Sequence, residues 1–461
     1  MSAEDLLPLL DRIVAQAGTD EGVEAFGLDE TETVVKAHNG ALESLSSARR
    51  RGIGIRVVTD QRVGYCYTVD LDERKLAAAL SEARENATVG TPDVGNVLAE
   101  PVEAPPMDDA QLYDPAIEET TPQQKVSAAL ELEWAARDGA EITGTDSAQY
   151  GDGIRTAAIA SSTGVRVSYR RSDAYMMVEA LAGRNGSTTS AYGLAIGRSL
   201  PELDIAAVAD EAKQRATRLL GGRTPSSARL PIVFDPFVTA SFLGLVASGL
   251  LAEAVQRGRS LFAGRVGDRI APEFVDLVDD GRHPRGPAAA PWDGEGTPTQ
   301  RTVVLEGGVL QGFLYHVATA ARDNTVSTGN ASRGSYASPP ALSPTNFYLS
   351  PGDTAPDDLI AGLDTAFYCQ QVMGLHSGAN PISGDFSVGA AGVMIRDGRF
   401  AEPVREATIA GSIPQMLERI AAVGSDLRFL PFGGAMGGVT LVVDGMTLAG
   451  GAPAQATAAR G

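Results

Sequence analysis

The residue types that most often bind metal ions are scarce in this chain and far apart. The sequence has four histidines and two cysteines, which are His38, His283, His316, His376, Cys66 and Cys369. No two histidines have the i, i+4 spacing that places two ligands on one face of a helix, and neither cysteine belongs to a CxxC pair. The spacing therefore predicts no zinc site from neighbouring residues. The alternative is a metal bound by dispersed residues such as His316, which lies in a strand-like run at 312–320, His376 and Asp385.

No motif for nucleophilic catalysis is present. The chain has no G-x-S-x-G turn, and both cysteines lie in apolar runs that are typical of buried structural thiols. Carboxylates are plentiful, and Asp279-Asp280 or Asp293-Gly294-Glu295 could bind a hard cation or act as an acid–base pair. Both are also typical turn sequences, and we favour turns in which the carboxylates bind local backbone amides.

The composition is that of an acidic globular protein. The 461 residues include 38 Lys and Arg against 58 Asp and Glu, a net charge of −20. Such a chain repels phosphate backbones and anionic lipid headgroups, so neither nucleic acid nor a membrane is an expected partner. Two widely separated cysteines form no disulfide framework, which favours a reducing compartment. The N-terminal run MSAEDLLPLLDR is acidic where a secretory signal is basic, and we expect a cytoplasmic protein.

The N-terminal half has the pattern of helices packed on an antiparallel sheet. Apolar residues at helical spacing predict a helix at 3–17, and the Asn39-Gly40 pair between two strand-like runs predicts a β-hairpin. The TPQQ run at 121–124 is a capping box that predicts the start of another helix. Short strand-like runs separated by glycines predict a meander of about five strands over 141–197.

A change of composition divides the chain. The run GGRTPSSAR at 221–229 is typical of a linker. We therefore predict an α+β fold with a mixed domain at 1–222, in which helices pack on an antiparallel sheet, and a β-rich, barrel-like domain at 229–449. The uncharged segment 236–252 is shorter than the roughly 20 apolar residues that cross a bilayer, and its nearly uniform apolarity predicts a helix in a core or a subunit interface. Residues 450–461 are predicted to be a disordered tail.

Six runs in the C-terminal half resemble the TldD/PmbA family, once called modulators of DNA gyrase. Their order, spacing and gap lengths match the family from 257 to 427. The N-terminal run GIGIRVVTDQRVGYCYT resembles the first domain of the family more loosely, so the resemblance covers nearly the whole chain. The six runs are RGRSLFAGRVGDRIAPEFVDLVDDG, WDGEGTPTQRTVVLEGGVLQGFL, STGNASR, PTNFYLSPGD, NPISGDFSVGAAGVMIRDG and ATIAGSIPQMLERIAAVGSDL.

The resemblance implies that this chain lacks the family's metal site. TldD-type chains form a zinc peptidase, with a HExxxH motif on the helix before the R-G-x-S-x-F-x-G run and a cysteine ligand near the C-terminus. The matching helix positions here are Leu243, Gly244 and Ser248, which can neither bind zinc nor act as a base. The C-terminal run LRFLPFGGAMGGV at 427–439 has no cysteine. The resemblance therefore implies the PmbA/TldE branch, with no catalytic residue and no cofactor in this chain.

The resemblance also implies partners and a function. We expect a non-catalytic subunit that pairs with a zinc-bearing HExxxH subunit, and the pair to trim unstructured peptides bound as an added strand. The alternatives are a stand-alone homodimeric binding or regulatory protein and an enzyme with a metal bound by dispersed residues. The residues expected to line the peptide channel or the subunit interface are Phe242, Leu245, Asn330, Arg333, Tyr336, Asn346, Ser383, Asp385 and Ser387.

Overall fold

The first part of the chain is built around one large antiparallel sheet. A computed structural model of the protein describes residues 3–431 and 435–450. The strands of this sheet are β1 (Gly22–His38), β2 (Ala41–Thr59), β3 (Arg62–Thr68), β4 (Ile142–Ser161), β5 (Arg166–Arg184) and β6 (Ser187–Gly197). Their order across the sheet is β3-β2-β1-β4-β5-β6, so β6 forms one edge.

The predicted hairpin joins the two strands β1 and β2. They pair along nearly their whole length, and the turn between them consists of Asn39 and Gly40. Both turn residues have positive φ, 54° and 75°, which is the left-handed conformation that a two-residue hairpin turn requires. The hairpin prediction is confirmed.

The predicted meander of about five strands over 141–197 is wrong in its number of strands, because this region forms the three long strands β4, β5 and β6. Gly151 and Gly153 lie inside β4 and not in turns. A side chain at Gly151 would overlap the ring of Tyr175 on β5, and one at Gly153 would crowd the carbonyl of Thr31 on β1. These glycines permit close packing across the sheet and therefore do not mark strand ends.

Helices cover one face of this sheet. They include α1 (Ala3–Val14), α2 (Glu73–Val89), α3 (Ala116–Glu119), α4 (Pro122–Arg137) and α5 (Ile205–Arg218). Helix α1 packs on β1 and β4, and α2 packs on β2 and β3. Helix α4 packs on β1 and β4, and α5 packs on β5 and β6. The capping box at α4 is confirmed, since Thr121 Oγ1 accepts from Gln124 N and the Gln124 side chain accepts from Thr121 N.

The second part of the chain is richer in strands. Its helices are α6 (Pro236–Gly249), α7 (Ala252–Gln256), α8 (Val317–Arg322), α9 (Pro356–Ala361), α10 (Leu375–Gly378) and α11 (Ile413–Glu418). Its strands are β7 (Ala228–Phe234), β8 (Leu277–Asp280), β9 (Arg301–Glu306), β10 (Val309–Leu310), β11 (Ala331–Ser332), β12 (Ala341–Leu342), β13 (Asn346–Leu349), β14 (Thr365–Met373), β15 (Asp385–Arg396), β16 (Arg399–Ser412), β17 (Ile420–Val423), β18 (Arg428–Leu430), β19 (Ala435–Gly438) and β20 (Leu441–Gly450).

Five of these strands close into a barrel. One sheet has the order β16-β15-β14-β7-β20-β17, and β16 also pairs with β20. The ring of β7, β14, β15, β16 and β20 therefore has no open edge between its first and last strand. A second sheet, β10-β9-β8-β13-β19-β18, lies beside it. The predicted α+β fold and the barrel-like C-terminal region are confirmed.

The uncharged segment predicted to be a buried helix forms α6. Its central residue Phe242 stacks on Phe234 of β7, with 5.1 Å between ring centroids, and meets Phe386 of β15 edge-on at 4.9 Å. Both neighbours belong to the barrel, so α6 is part of the C-terminal core. In the described ranges 3–431 and 435–450, none of the helices has the length and apolarity to span a lipid bilayer.

The structure also bears on the predictions for the run at 312–320 and for the tail at 450–461. The strand-like run at 312–320 is not a strand, because His316 is the N-cap of α8 and its Nδ1 lies 2.9 Å from Thr319 Oγ1. Local capping by Thr319 outweighs the apolar pattern of this run. The predicted tail at 450–461 begins in a strand, since Gly450 is the last residue of β20, and 451–461 lie outside the described residues.

Candidate functional site

A cleft lies between the edge strand β6 and the N-terminal end of α6. It contains an apolar cavity of about 720 Å³. Tyr175 and Met177 of β5, Tyr192 and Ile196 of β6 and Phe237 of α6 line this cavity. Because alternate residues of a strand face opposite sides, these strand residues lie on the sheet face away from α4 and α5. The cleft is therefore a groove between the two parts of the chain.

Side chains from elsewhere in the molecule occupy part of the β6 edge. Leu194 N donates to Glu211 Oε2 at 3.2 Å, and Leu194 O accepts from Arg428 Nη2. Arg428 also pairs with Glu211, so these two side chains cover one residue of the edge from both sides. Ser190 O accepts from Gln371 Nε2 at 2.9 Å. Capping of this kind blunts an edge strand against uncontrolled pairing.

Other outward positions of the β6 edge, among them Tyr192 and Ile196, stay uncovered by the described residues. Backbone direction alternates along a strand, so the backbone groups of Tyr192 and Ile196 point outward like those of Leu194. Within the part of the chain that the structure describes, no residue hydrogen-bonds to these outward groups. A peptide main chain could hydrogen-bond to these separate groups while one of its side chains enters the apolar cavity. The outward groups of Leu194 between them are bound by Glu211 and Arg428, so a continuous added strand requires these two side chains to move.

Helix α6 is fixed beside the cleft by a buried charge at its start. Asp235 Oδ1 accepts from Val238 N at 3.0 Å, and the other carboxylate oxygen pairs with Arg215 of α5. Burial raises the pKa of Asp235, while Arg215 and the Val238 amide oppose this shift. The pair ties α6 to a helix of the N-terminal part and so holds the two walls of the cleft together.

The three helix positions singled out by the sequence do not fit a metal ion. Leu243 is buried in the C-terminal core, and Gly244 has no side chain. Ser248 Oγ donates to Leu245 O at 2.7 Å. A Cβ atom built at Gly244 would meet no other atom within 4 Å, so the helix faces open space at this point. Zinc needs thiolate, imidazole or carboxylate ligands, and these positions supply none.

The dispersed residues proposed as a metal site are also not gathered. Among residues 3–431 and 435–450, no three His, Cys, Asp or Glu side chains lie close enough to hold a metal ion. His316 is bound to its own helix through Thr319, and burial lowers its pKa. His376 and Asp385 are exposed. The idea of an enzyme with a metal bound by His316, His376 and Asp385 therefore has no support from the geometry.

Four buried charges join the two parts of the chain at a second place. Arg56 of β2 pairs with Glu24 of β1 at 2.7 Å and with Glu295 of the C-terminal part at 2.9 Å. Arg333 also pairs with Glu24 and donates to Gly294 O at 2.6 Å. Burial lowers the pKa of Arg56, but Glu24 and Glu295 raise it by more. These alternating charges satisfy one another and form a clasp between the domains.

Two other predicted channel residues lie near this clasp. Asn330 is buried, and its Nδ2 donates to Asp279 Oδ2 at 2.7 Å. The carbonyl of Tyr336 accepts from Tyr65 Oη at 2.6 Å. Asp279 also accepts from the amide and hydroxyl of Thr345, and burial raises the pKa of Asp279 to about 6 against these hydrogen bonds. Asn330, Arg333 and Tyr336 thus bind other parts of the same chain at the domain junction.

The remaining predicted channel residues are scattered. Phe242 and Asn346 are buried, and Leu245 is half-buried on α6. Ser383, Asp385 and Ser387 are exposed at the start of β15, and their neighbour Phe386 points the other way into the core. The nine predicted residues therefore do not form one surface, and their role in binding stays a prediction.

The acidic pairs have mixed outcomes. Asp293 forms the predicted turn, since its Oδ1 accepts from Glu295 N and Thr297 N at 2.9 Å each. Burial, and then the nearby Glu295, raise the pKa of Asp293. Asp280, the last residue of β8, also begins a turn, since its Oδ1 accepts from Arg282 N, whereas the carboxylate of Asp279 accepts from Thr345 on a distant segment. The turn prediction is wrong for Asp279 because a long-range partner replaces the local amides.

Sequence reasoning missed the residues of the cleft. Tyr192, Leu194 and Ile196 alternate along one strand, which is a readable signal for one apolar face. Nothing in that pattern shows that the face is opposite Phe237 or that Arg428 reaches the strand edge, because these residues are far apart in sequence.

Comparison with known proteins gives one family along nearly the whole chain. Three domain models match in order, the PmbA/TldA metallopeptidase domain 1 at 23–87, the central domain at 115–220 and the C-terminal domain at 227–450. The cleft residues of β5, β6 and α6 lie in the central and C-terminal domains.

Individual proteins are similar over most of their length. Metalloprotease PmbA of Escherichia coli O157:H7 is 25% identical over 415 residues, 89% of each chain. A solved structure from Thermotoga maritima, described as a modulator of a DNA gyrase, has a TM-score of 0.88 and 25% identity and covers 96% of this chain and 99% of its own. The structure of TldE from Thermococcus kodakarensis shares the fold, with a TM-score of 0.87, 22% identity and coverage of 97% and 100%.

Proposed function

The chain belongs to the PmbA/TldD metallopeptidase family, and from this premise we propose that it is a PmbA/TldE-like subunit that binds peptide without cutting it. In this proposal a TldD-type subunit with a HExxxH motif supplies the zinc and the cleavage. This chain lines the chamber in which an unstructured peptide is held, and the pair works in the cytoplasm. The observation that carries the proposal is the set Leu243, Gly244 and Ser248 at the positions of the HExxxH residues.

The packing of α6 supports a role without chemistry. A catalytic helix needs polar ligands on a face that water and substrate can reach. Here Leu243 is part of the core, and Gly244 leaves the accessible face open. The residues present do not fit a zinc ion, so no cleavage step is assigned to this chain. The free space over Gly244 is room for a substrate that the partner cuts.

The β6 edge supports the binding of an extended peptide. The outward backbone groups of Tyr192 and Ile196 pair with any sequence, because main-chain hydrogen bonds do not depend on side chains. The cavity beside them, which Met177 and Phe237 line, favours an apolar side chain at one position. The main chain of the peptide is therefore bound whatever its sequence, and selectivity arises at the one peptide side chain that enters the cavity.

The test is reconstitution of the pair. The chain is mixed with a HExxxH-bearing family member from the same organism, and the cleavage of an unstructured fluorescent peptide is followed. We expect activity from the mixture and none from either chain alone, with both chains in one peak on size exclusion. Full activity of the HExxxH chain without this one, or cleavage by this chain in isolation, contradicts the proposal.

A variant at Gly244 tests the position of the chamber. Gly244→Phe fills the space over α6, and we expect the activity of the pair to fall by more than about tenfold, which is about 1.4 kcal/mol. The matched control is Gly312→Phe, because a Cβ atom at Gly312 also meets no atom within 4 Å but lies in a loop. Both variants should still bind the partner. Equal activity of the two variants would place the peptide elsewhere.

A further inference from the structure

Two charged side chains cover the middle of the β6 edge in the way that a strand would. Glu211 Oε2 accepts from Leu194 N at 3.2 Å, and Arg428 Nη2 donates to Leu194 O. A residue of an added strand would offer the same two groups, a carbonyl oxygen and an N–H, to the same backbone atoms. The carboxylate and the guanidinium therefore take the place of one residue of a neighbouring strand. We call these two side chains, which also bind each other, the Glu211–Arg428 pair.

The backbone groups on either side of Leu194 are open. Tyr192 and Ile196 also direct N–H and C=O groups out of the sheet, and no described residue binds these groups. The four-residue step from Tyr192 to Ile196 spans about 13 Å, and Leu194 lies at its centre. A peptide strand that pairs with both flanking residues must therefore displace the Glu211–Arg428 pair.

The Glu211–Arg428 pair has the freedom to move. The side chain of Glu211 is 22% exposed and that of Arg428 is 31% exposed, and a partly hydrated ion pair contributes little to stability. Both side chains line a cavity of about 740 Å³ beside the edge, and Arg428 also lines one of about 490 Å³. Rotation about side-chain bonds can therefore carry both groups away from Leu194 without a change in the backbone.

Arg428 also connects the strand edge to the apolar cavity. Its guanidinium lies over the ring of Phe237, 4.8 Å from the centroid, and Phe237 lines the apolar cavity. Arg215 lies over the same ring at 4.3 Å and is bound by the buried carboxylate of Asp235. Phe237 therefore stays fixed when Arg428 leaves, and more of its ring becomes available to an apolar side chain of the peptide.

We propose that the Glu211–Arg428 pair is a latch, which closes the β6 edge in the free chain and which an extended peptide opens by pairing with Leu194. The inference rests on the proposed function, because it assumes that peptide binds at this edge. A peptide displaces the latch only with main-chain groups that are free, and the backbone groups of a folded segment are already hydrogen-bonded. The latch therefore selects unfolded segments over folded ones.

Binding of a peptide to the isolated full chain tests the latch. The probe is a peptide of serine, threonine and glycine with one central leucine, blocked ends and an uncharged fluorophore, and its binding is followed by fluorescence anisotropy. Glu211→Met/Arg428→Met removes the acceptor and the donor and keeps two long side chains. We expect this double variant to bind the probe about tenfold more tightly than the wild type, because no closed state competes.

Asp210→Met/Lys213→Met is the matched control. These residues form an ion pair on the same helix, and Asp210 lines the same cavity, but within the described chain no hydrogen bond joins either side chain to β6. We expect this control to bind the probe like the wild type. Raised salt screens the Glu211–Arg428 pair, so it should tighten binding of the uncharged probe to the wild type and leave the latch variant unchanged.

The outcomes separate the latch from the proposed function. Equal or weaker binding by Glu211→Met/Arg428→Met overturns the latch, and weaker binding would make the pair part of the peptide contact. A wild type whose affinity does not respond to salt also overturns it, and so does a lack of binding by both proteins. The proposed function is measured separately, as cleavage by the mixture with a HExxxH subunit. Failure of that cleavage together with tighter probe binding by the variant would contradict the proposed function alone.

Discussion

The two halves of strand β2 have the same secondary structure and opposite surroundings. Residues 52–57 are buried on both faces, with helices α1 and α2 on one side and the C-terminal part on the other. Residues 41–51 are exposed on both faces. Gly54 shows how tight the buried half is, because a Cβ atom there would overlap the hydroxyl of Tyr65 and the carbonyl of Tyr336.

The difference shows that the contribution of a charged residue to the stability of the fold depends more on its burial than on its secondary structure. Arg56 in the buried half lies between Glu24 and Glu295, with little water to stabilise any of the three charges. Arg50 in the exposed half pairs with Glu32 at 3.2 Å, and both side chains are more than half exposed. A buried charge depends on its partner, whereas an exposed one is stabilised by water in any case.

The largest expected effect is at Arg56. Arg56→Leu removes the cation and leaves Glu24 and Glu295 buried, with only Arg333 as a counter-charge. We expect the free energy of unfolding, measured by urea titration, to fall by about 3–5 kcal/mol. Arg56→Lys keeps the charge but cannot donate to both carboxylates at once, and its loss should be smaller. A loss below about 1 kcal/mol for Arg56→Leu, as expected for an exposed ion pair, would contradict the claim that the buried half of β2 depends more strongly on its ion pairs.

Asp279 is a buried carboxylate whose described partners are all uncharged, and it extends the comparison between buried and exposed charges. Asp279 has only Asn330 and Thr345 as partners, and burial raises its pKa to about 6 from 3.8. The folded state therefore binds the proton more tightly than the unfolded state. The stability that protonation adds is complete below pH 3.8 and is lost as the pH rises through about 6.

Asp279→Asn removes this titration and keeps the shape of the side chain. Between pH 4 and 6 we expect the free energy of unfolding of the wild type to fall relative to the variant by about 2 kcal/mol, since each pH unit between the two pKa values contributes at most about 1.4 kcal/mol. Urea titrations of both proteins at several pH values measure the difference. Parallel pH profiles would show that burial does not shift the proton affinity of Asp279.

The smallest effect is expected in the exposed half. Arg50→Ala removes the pair with Glu32, and we expect a change of no more than about 0.5 kcal/mol in the free energy of unfolding. A double-mutant cycle with Glu32→Ala isolates the contribution of the pair. A coupling energy as large as the loss at Arg56 would mean that the two halves do not differ in the way proposed.

Local patterns allowed much of the fold to be predicted. The Asn39-Gly40 turn and the capping box at Thr121 act through neighbouring residues, and both are as expected. The number of strands was not predictable, because Gly151 and Gly153 are needed for contacts with other strands and look like turn residues in sequence. Periodicity cannot distinguish a glycine that ends a strand from one that another strand approaches.

The candidate site was predictable only in part. The absence of zinc ligands at Leu243, Gly244 and Ser248 is visible in the sequence once the resemblance is recognised. The cleft is not visible, because Leu194 and Arg428 are separated by 234 residues. Contacts over such a distance leave no local pattern.

The sequence by itself determined which residue types are available, where the Asn39-Gly40 hairpin turns and helix α4 begins, and that the positions of the HExxxH residues have no metal-binding side chains. These properties depend on the spacing of side chains along a few turns of backbone. Only the tertiary structure decided that Arg56 is enclosed between two carboxylates while Arg50 on the same strand is in water. Burial is set by what packs against a residue, and the packing partners of β2 come from segments far away in the chain.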